Sequence, residues 1–284
     1  MSKKPTDSSG ISFTALYTGA VWHRHGLSDD ALATEQGRWL YHLMSPFETA
    51  SKAAIGGNIR TFLLQRHRII DHLIAEAVVK NGVDQVLEIA CGLSPRGIRL
   101  REKHPHLKMV EADLPDMATR KAARLLATGR LGENHQVTPM DILADSGNHA
   151  LEAVIARTFD NTKPIVVVTE GLASYFSLDV ITEFWQRLAR ALANRPGSVY
   201  LSESYLMPRQ PLLRHSLKTL GGLLGTMTRS QVSFHFEDDQ QAQDHFQACG
   251  FPSVRVYNPS EFYGLLPIPE SRHDPMVRVV SARV

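Results

Sequence analysis

The chain has 284 residues, 43% of them hydrophobic and 21% charged, with a formal net charge of +2. That balance is ordinary for a soluble globular protein, gives no single-sign field that would draw nucleic acid, and allows one large domain with a helical appendage. No apolar run approaches the roughly 18 residues that cross a bilayer, so no membrane segment is expected and the chain reads as cytoplasmic. Its two cysteines, Cys91 and Cys249, lie in separate contexts and suit a reducing compartment, where Cys91 reads as a small buried residue.

Residues 1–11 are polar and are expected to lack order. TALYTGAVWHRHGLSDDALATEQGRWLYHLM (14–44) then places apolar and aromatic residues at helical spacing, with Ser28 as the candidate cap of short helices. NIRTFLLQRHRIIDHLIAEAVVKNG (58–82) is a longer amphipathic helix, stopped at Asn81-Gly82. Apolar bursts of strand length follow: QVLEIA (85–90), LKMVEAD (107–113), HQVTPMDI (135–142), PIVVVTEG (164–171) and SVYLSES (198–204). Helical sequence such as MATRKAARLLATG (117–129) separates them, and strands alternating with helices predict a parallel sheet covered on both faces. In the last third, GGLLGTMTR (221–229) reads as a hinged lid. It precedes SFHFEDDQQAQDHFQACGF (233–251), VRVYN (254–258) and a final strand, MVRVVSARV (276–284). The division expected is a helical cap over 1–82 and a catalytic domain over 83–284, with an insertion at about 207–245.

The stretch VLEIACGLSPRGIRL (86–100) passes from buried strand through a turn into a helix, the place where open α/β sheets bind ligands. A dinucleotide turn needs G-x-G-x-x-G; here the series is Ala90, Gly92 and Pro95, which disfavours a nicotinamide oxidoreductase. A looser turn, with Gly92 admitting close backbone approach and Gly97 inside the helix, suits a ligand without phosphates; a turn that binds nothing is the competing reading. Acids raise the odds of a site. The second strand ends in Asp113, where a carboxylate can accept both ribose hydroxyls, the third in Asp141 and the fourth in Glu170.

In this order EIACGLSPRGIRL, EADLP, PMDIL and TEGLASYF, preceded by QRHRIIDHLI, resemble the leucine carboxyl methyltransferase family of class I S-adenosylmethionine-dependent enzymes. The bacterial polyketide O-methyltransferase branch is the nearest in pattern, and the resemblance runs from about residue 14 to 176 and more loosely to the end. It implies a Rossmann-like, mostly parallel seven-stranded sheet with an N-terminal helical cap and a C-terminal lid insertion. S-adenosylmethionine would be the cofactor and S-adenosylhomocysteine the product. Residue by residue, it implies that Arg66 holds the methionyl carboxylate and that Ala90 and Gly92 line the methionyl moiety. Asp113 would bind the ribose, Asp141 and Ile142 would flank the adenine, and Glu170 would close the site near the methionyl amine. The usual Gly-Ala-Gly followed by an aspartate is here Ala90-Cys91-Gly92 followed by Ser94, so Ser94 inherits no role.

A sulfonium methyl is already activated, which leaves the protein to supply position and electrostatics. A carboxylic acceptor arrives ionised and needs a clamp, whereas a phenol with pKa near about 10 profits from a general base. Candidates for that base or for contact with the acceptor are His23, His25, His235, Tyr17 and Tyr205. As a group, Tyr17, Trp22, Tyr175, Tyr205 and Phe234 suit an aromatic or polyketide-type small molecule. No metal site is expected, because His23-Arg24-His25 and His104-Pro105-His106 lack acidic or cysteine partners at ligand spacing. A non-catalytic ligand-binding protein of the same fold is the alternative from a different class.

Overall fold

The computed structural model describes residues 13–55, 57–206 and 233–284. The polar N-terminal tail and the glycine-bearing 221–229 segment lie outside those residues, as does most of the expected insertion.

Three helices open the chain: α1 (Phe13–Arg24), α2 (Glu35–Ile55) and α3 (Ile59–Asn81), with a short 3-10 turn (Asp30–Leu32) between the first two. The cap of that turn is Asp29, whose carboxylate accepts the Ala31 amide, and not the neighbouring Ser28. An aspartate is the better acceptor here because its charge opposes the positive end of the turn. α3 is bounded as its sequence requires. The Asn58 side chain accepts from the Thr61 amide, and Gly82 leaves the helix at φ 67°, returning its N–H to the Ala77 carbonyl.

From there strands and helices alternate: β1 (Gln85–Ile89), α4 (Arg96–Lys103), β2 (Lys108–Asp113), α5 (Pro115–Ala127), β3 (His135–Pro139), α6 (Leu151–Thr158) and β4 (Val166–Thr169). α7 (Leu178–Leu192), β5 (Val199–Tyr205), α8 (Asp239–Ala248), β6 (Ser253–Tyr257) and β7 (Val277–Arg283) complete the order. The sheet runs β3-β2-β1-β4-β5-β7-β6. Six strands run the same way, β1 to β5 pairing in parallel, while β7 lies antiparallel between β5 and β6. This is the Rossmann-like, mostly parallel seven-stranded sheet that the resemblance implied. Within the expected insertion, the α8 segment packs Ala242 and Phe246 into the main core.

Period-two burial divides each central strand between two cores. Leu87, Ile89 and Val167 face a cluster built with Phe184, Trp185 and Phe246, while Val86, Val166 and Val168 meet Ile69, Ile70 and Ile74 of α3. At the N-terminal end of α3, Leu63 and Leu64 close a third cluster with Tyr17, Val21, Trp22 and Leu40. The first two helices are thereby fixed over the carboxyl edge of the sheet. No helix among the described residues is long and apolar enough to cross a membrane.

Candidate active site

The strand order reverses between β1 and β4, which opens a crevice at their carboxyl ends. The turn after β1 is tight: Ala90 takes φ 53°, the one positive φ among non-glycine residues described, and Gly92 follows at 46°. An L-residue in that region costs about 1–2 kcal/mol, and such strain tends to gather where backbone must face a ligand. The turn is tied to its neighbour strand, since Cys91 donates its amide to the Ala112 carbonyl at 3.1 Å. Asp113 closes the link: one oxygen accepts the Gly92 amide at 2.7 Å and the other the Leu114 amide at 2.8 Å. Burial pushes this carboxyl up, against the pull of both amides.

Arg66 and Glu170 lie against each other. Arg66 Nε donates to Glu170 Oε1 at 2.9 Å and Nη1 to the Tyr205 hydroxyl at 2.9 Å, and both charged side chains are nearly dry. Burial opposes the guanidinium's charge, but Tyr205, Glu203 and Glu170 outweigh it and raise its pKa. Glu170 is held well below the usual carboxylate range: burial works against its charge, and His67, Arg96 and Arg66 win. The phenol of Tyr205 is pushed up to about 12 by burial.

Three members of this constellation were not marked in the sequence. His67 approaches Glu170 Oε2 through Nδ1 at 2.7 Å while its Nε2 faces Arg99 Nη2 at 2.7 Å. A guanidinium only donates, so Nε2 accepts from Arg99, while Nδ1 faces both Glu170 Oε2 and, at 3.1 Å, Arg96 Nη2; burial lowers the pKa of the ring. Arg96, fully buried, reaches Glu170 Oε2 at 2.6 Å, Asp71 at 2.7 Å and Glu88. Glu203, from β5, accepts the Gly171 amide at 2.9 Å and leaves Oε2 buried without a partner; burial pushes its carboxyl up. Glu203 repeats the strand-end acid signal already seen three times, whereas nothing in SPRG distinguishes Arg96 from a turn residue.

The adenine-side candidates lie just beyond β3, an edge strand whose last pairing is Pro139 with Asp113. Asp141 accepts the Leu143 amide at 2.9 Å, and the buried Ile142 gives its carbonyl to Arg187. The remaining candidates separate. Tyr205 stands in the Arg66 network, and His235 sets Nε2 3.0 Å from the Ala173 carbonyl just past β4. His23 pairs with the exposed Asp30, Tyr17 donates to the buried Glu48 at 3.0 Å, and His25 lines a different cavity. Trp22 packs on the His67 ring at 4.5 Å, and the Tyr175 hydroxyl meets Thr14. Among the described residues no cluster of three or more His, Cys, Asp or Glu could hold a metal.

Comparison with known proteins points the same way. The family model described as leucine carboxyl methyltransferase matches residues 26–189. No curated protein sequence matches the chain. Among solved structures, a Thermobifida fusca YX protein assigned as a methyltransferase shares 16% identity at TM-score 0.64, covering 98% of this chain and 96% of its own. A DUF574 family protein of Streptomyces avermitilis MA-4680 also reaches TM-score 0.64, at 12% identity with 96% and 97% covered. An O-methyltransferase family protein of Burkholderia thailandensis reaches 0.52 at 14% identity, covering 99% of this chain and 74% of its own. At such identities the likeness speaks for the fold.

Proposed function

The chain belongs to the leucine carboxyl methyltransferase family, and from that premise we propose that it methylates an oxygen of a small molecule, a carboxylate ahead of a hydroxyl, on an aromatic or polyketide-type acceptor. As a member of that family it is a methyltransferase whose cofactor is S-adenosylmethionine.

The observation that carries the reading is the dry Arg66–Glu170 pair beside the glycine turn. An arginine and an ionised carboxylate side by side present the charges complementary to the two ends of an amino acid. The donor set fits. Arg66 Nη2 has no partner among the described residues, and Gly171 keeps the way to it clear, since a Cβ there would stand 3.1 Å from that nitrogen. A Cβ on Gly92 would meet nothing within 4 Å, so that side of the turn is open. In this reading Arg66 takes the methionyl carboxylate and Glu170 the ammonium, with Ala90 and Gly92 offering backbone to the chain between them. Asp113 has lone pairs left on both oxygens for ribose hydroxyls, and Asp141 and Ile142 border the adenine.

When bound, the cofactor supplies a methyl group already activated on a sulfonium. The residues' task is then to hold the acceptor oxygen in line and to keep water out, which can contribute roughly 7–11 kcal/mol. Tyr205 stays protonated at neutral pH and accepts from Arg66, so its own proton is free for an acceptor carboxylate. Should the oxygen be a hydroxyl, His235 is the candidate base: with Nε2–H directed to the Ala173 carbonyl, Nδ1 remains an acceptor. The test is transfer of labelled methyl from S-adenosylmethionine to a panel of aromatic acids and phenols, with alkaline hydrolysis of the products. Label released as methanol marks esters and supports the carboxylate reading; tight S-adenosylhomocysteine binding with no transfer to any acceptor would favour a non-catalytic binder.

A further inference from the structure

A second cavity lies on the other side of α3. Its volume is about 440 Å³ and its wall includes His25, Glu48, Arg60, Leu64, Pro269 and Arg272. That size suits a small organic ligand, for which pockets of about 300–1,000 Å³ are usual. Leu64 lines it, whereas Arg66, two residues on and so about 200° round the helix, faces Glu170. The two sites are therefore back to back across one helix.

The charge of this cavity is unbalanced. Not every arginine meets a carboxylate: Arg124 and Arg195 give their protons to backbone carbonyls, while Arg66, Arg96, Arg187 and Arg278 form ion pairs. Arg60 and Arg272 form none among the described residues. The Arg60 guanidinium rests 4.2 Å from the centre of the Tyr41 ring and donates Nη2 to Ser45 at 3.1 Å, while its Nε is buried with no partner. That Nε is out of reach of solvent, so it is a cost borne inside the fold and not a contact offered to a ligand. Arg24 and Arg68 add to the positive potential, since together with burial and Arg60 they lower the pKa of His25. Glu48 offsets only one of the positive charges: its oxygens accept from the Tyr17 hydroxyl at 3.0 Å and the Arg60 amide at 3.2 Å, and the Arg60 charge works against the burial that pushes the carboxyl up. Leu64 and Pro269 make part of the wall apolar.

We infer that this cavity is a second ligand site, taking an organic anion whose carboxylate or phosphate ester meets Arg60 and Arg272 while its hydrocarbon body lies on Leu64 and Pro269. The inference does not rest on the methyl-transfer reading. It is tested by calorimetric titration of the full chain with 2-naphthoate, 2-naphthyl phosphate and the neutral 2-naphthamide. At least one of the anions is expected to bind roughly tenfold or more tightly than the amide, the loss of one charge-assisted hydrogen bond. The ratio of the two anions tells carboxylate from phosphate. Arg272→Met, at an exposed position where folding is not at stake, should weaken the anion by a similar factor, and Arg60→Met should do the same provided its thermal midpoint is unchanged. Arg66→Ala should lower affinity for S-adenosylhomocysteine and leave naphthoate binding as it was. Equal affinity for amide and anions, no effect of Arg272→Met, or loss of naphthoate in Arg66→Ala would each overturn the assignment.

Discussion

Glu170 and Glu203 stand on neighbouring strand ends and share Arg66, yet their surroundings drive them apart. Glu170 collects Arg66, Arg96 and His67 on its two oxygens, while Glu203 has one amide donor and a bare second oxygen. Glu170→Gln takes from Arg66 its nearer carboxylate, while Arg96 keeps Asp71 and Glu88, and is expected to cost about 3–5 kcal/mol. Glu203→Gln replaces a group whose charge burial already disfavours, and is expected to cost less than about 1 kcal/mol at neutral pH. Their pH dependence has opposite signs. With a folded pKa far below its usual value, Glu170 contributes stability that is complete above about pH 4.3 and lost as pH falls through the folded value. Glu203, raised, contributes stability present below about pH 4.3 and lost as pH rises through its folded value. Urea denaturation of both variants across the acid range should show the acid limb flattened in the first and the loss toward neutrality removed in the second. Asp113→Ala, which leaves the Gly92 and Leu114 amides unmet, should weaken S-adenosylhomocysteine binding by about 1–3 kcal/mol, and an unchanged dissociation constant would remove the residue from the proposed site. At this scale the acids at strand ends could be read directly from the sequence because position in a strand fixes where they emerge. Arg96 and His67 could not, since their meaning depends on which helix faces α4.

Among the elements, α3 and α4 show how a single residue type licenses a close approach. In α4, an ideal Cβ on Gly97 would stand 2.7 Å from both the Glu111 carboxyl carbon and His135 Nε2. Those two are bonded at 2.9 Å beneath the helix, and Lys121 lies 2.6 Å from Glu111 on the other side. The glycine that a dinucleotide turn would carry at position 95 is thus supplied at Gly97, where it serves packing of helix on strand with no phosphate involved. Gly97→Ala must therefore push α4 off β2 or break the Glu111–His135 contact, and is expected to cost about 1–3 kcal/mol by chemical denaturation. A cost within error of zero would mean that α4 shifts freely. The ends of α3 were legible, because Asn58 and Gly82 each have one dominant helical use. The use of Ser28 was not, because three adjacent residues, Ser28, Asp29 and Asp30, all carry an acceptor and only the backbone direction chooses between them.

On the scale of the whole molecule, the first five strands were visible as apolar bursts and β7 as a final strand, whereas the half-exposed β6 and the strand order were not. MVRVVSARV is buried along nearly its whole length, a pattern that fits either strand direction, so its place between β5 and β6 comes from tertiary packing. That order matters because it gathers the ends of β1, β2, β4 and β5 on one edge and lets α3 pass beneath them, so that the proposed cofactor contacts would draw on five elements at once. A molecule bound there should stabilise the whole fold rather than one loop. With S-adenosylhomocysteine at about 100 times its dissociation constant, mass action adds about 2.7 kcal/mol. For a chain of this length each kcal/mol moves the thermal midpoint by about 2–4 °C, so a rise of at least about 5 °C is expected. NAD at the same concentration should leave the midpoint where it was, because Pro95 denies the turn the glycine that a pyrophosphate requires. A shift with NAD equal to that with S-adenosylhomocysteine would mean that the edge recognises adenosine alone, and that Arg66 and Glu170 hold each other instead of an amino acid.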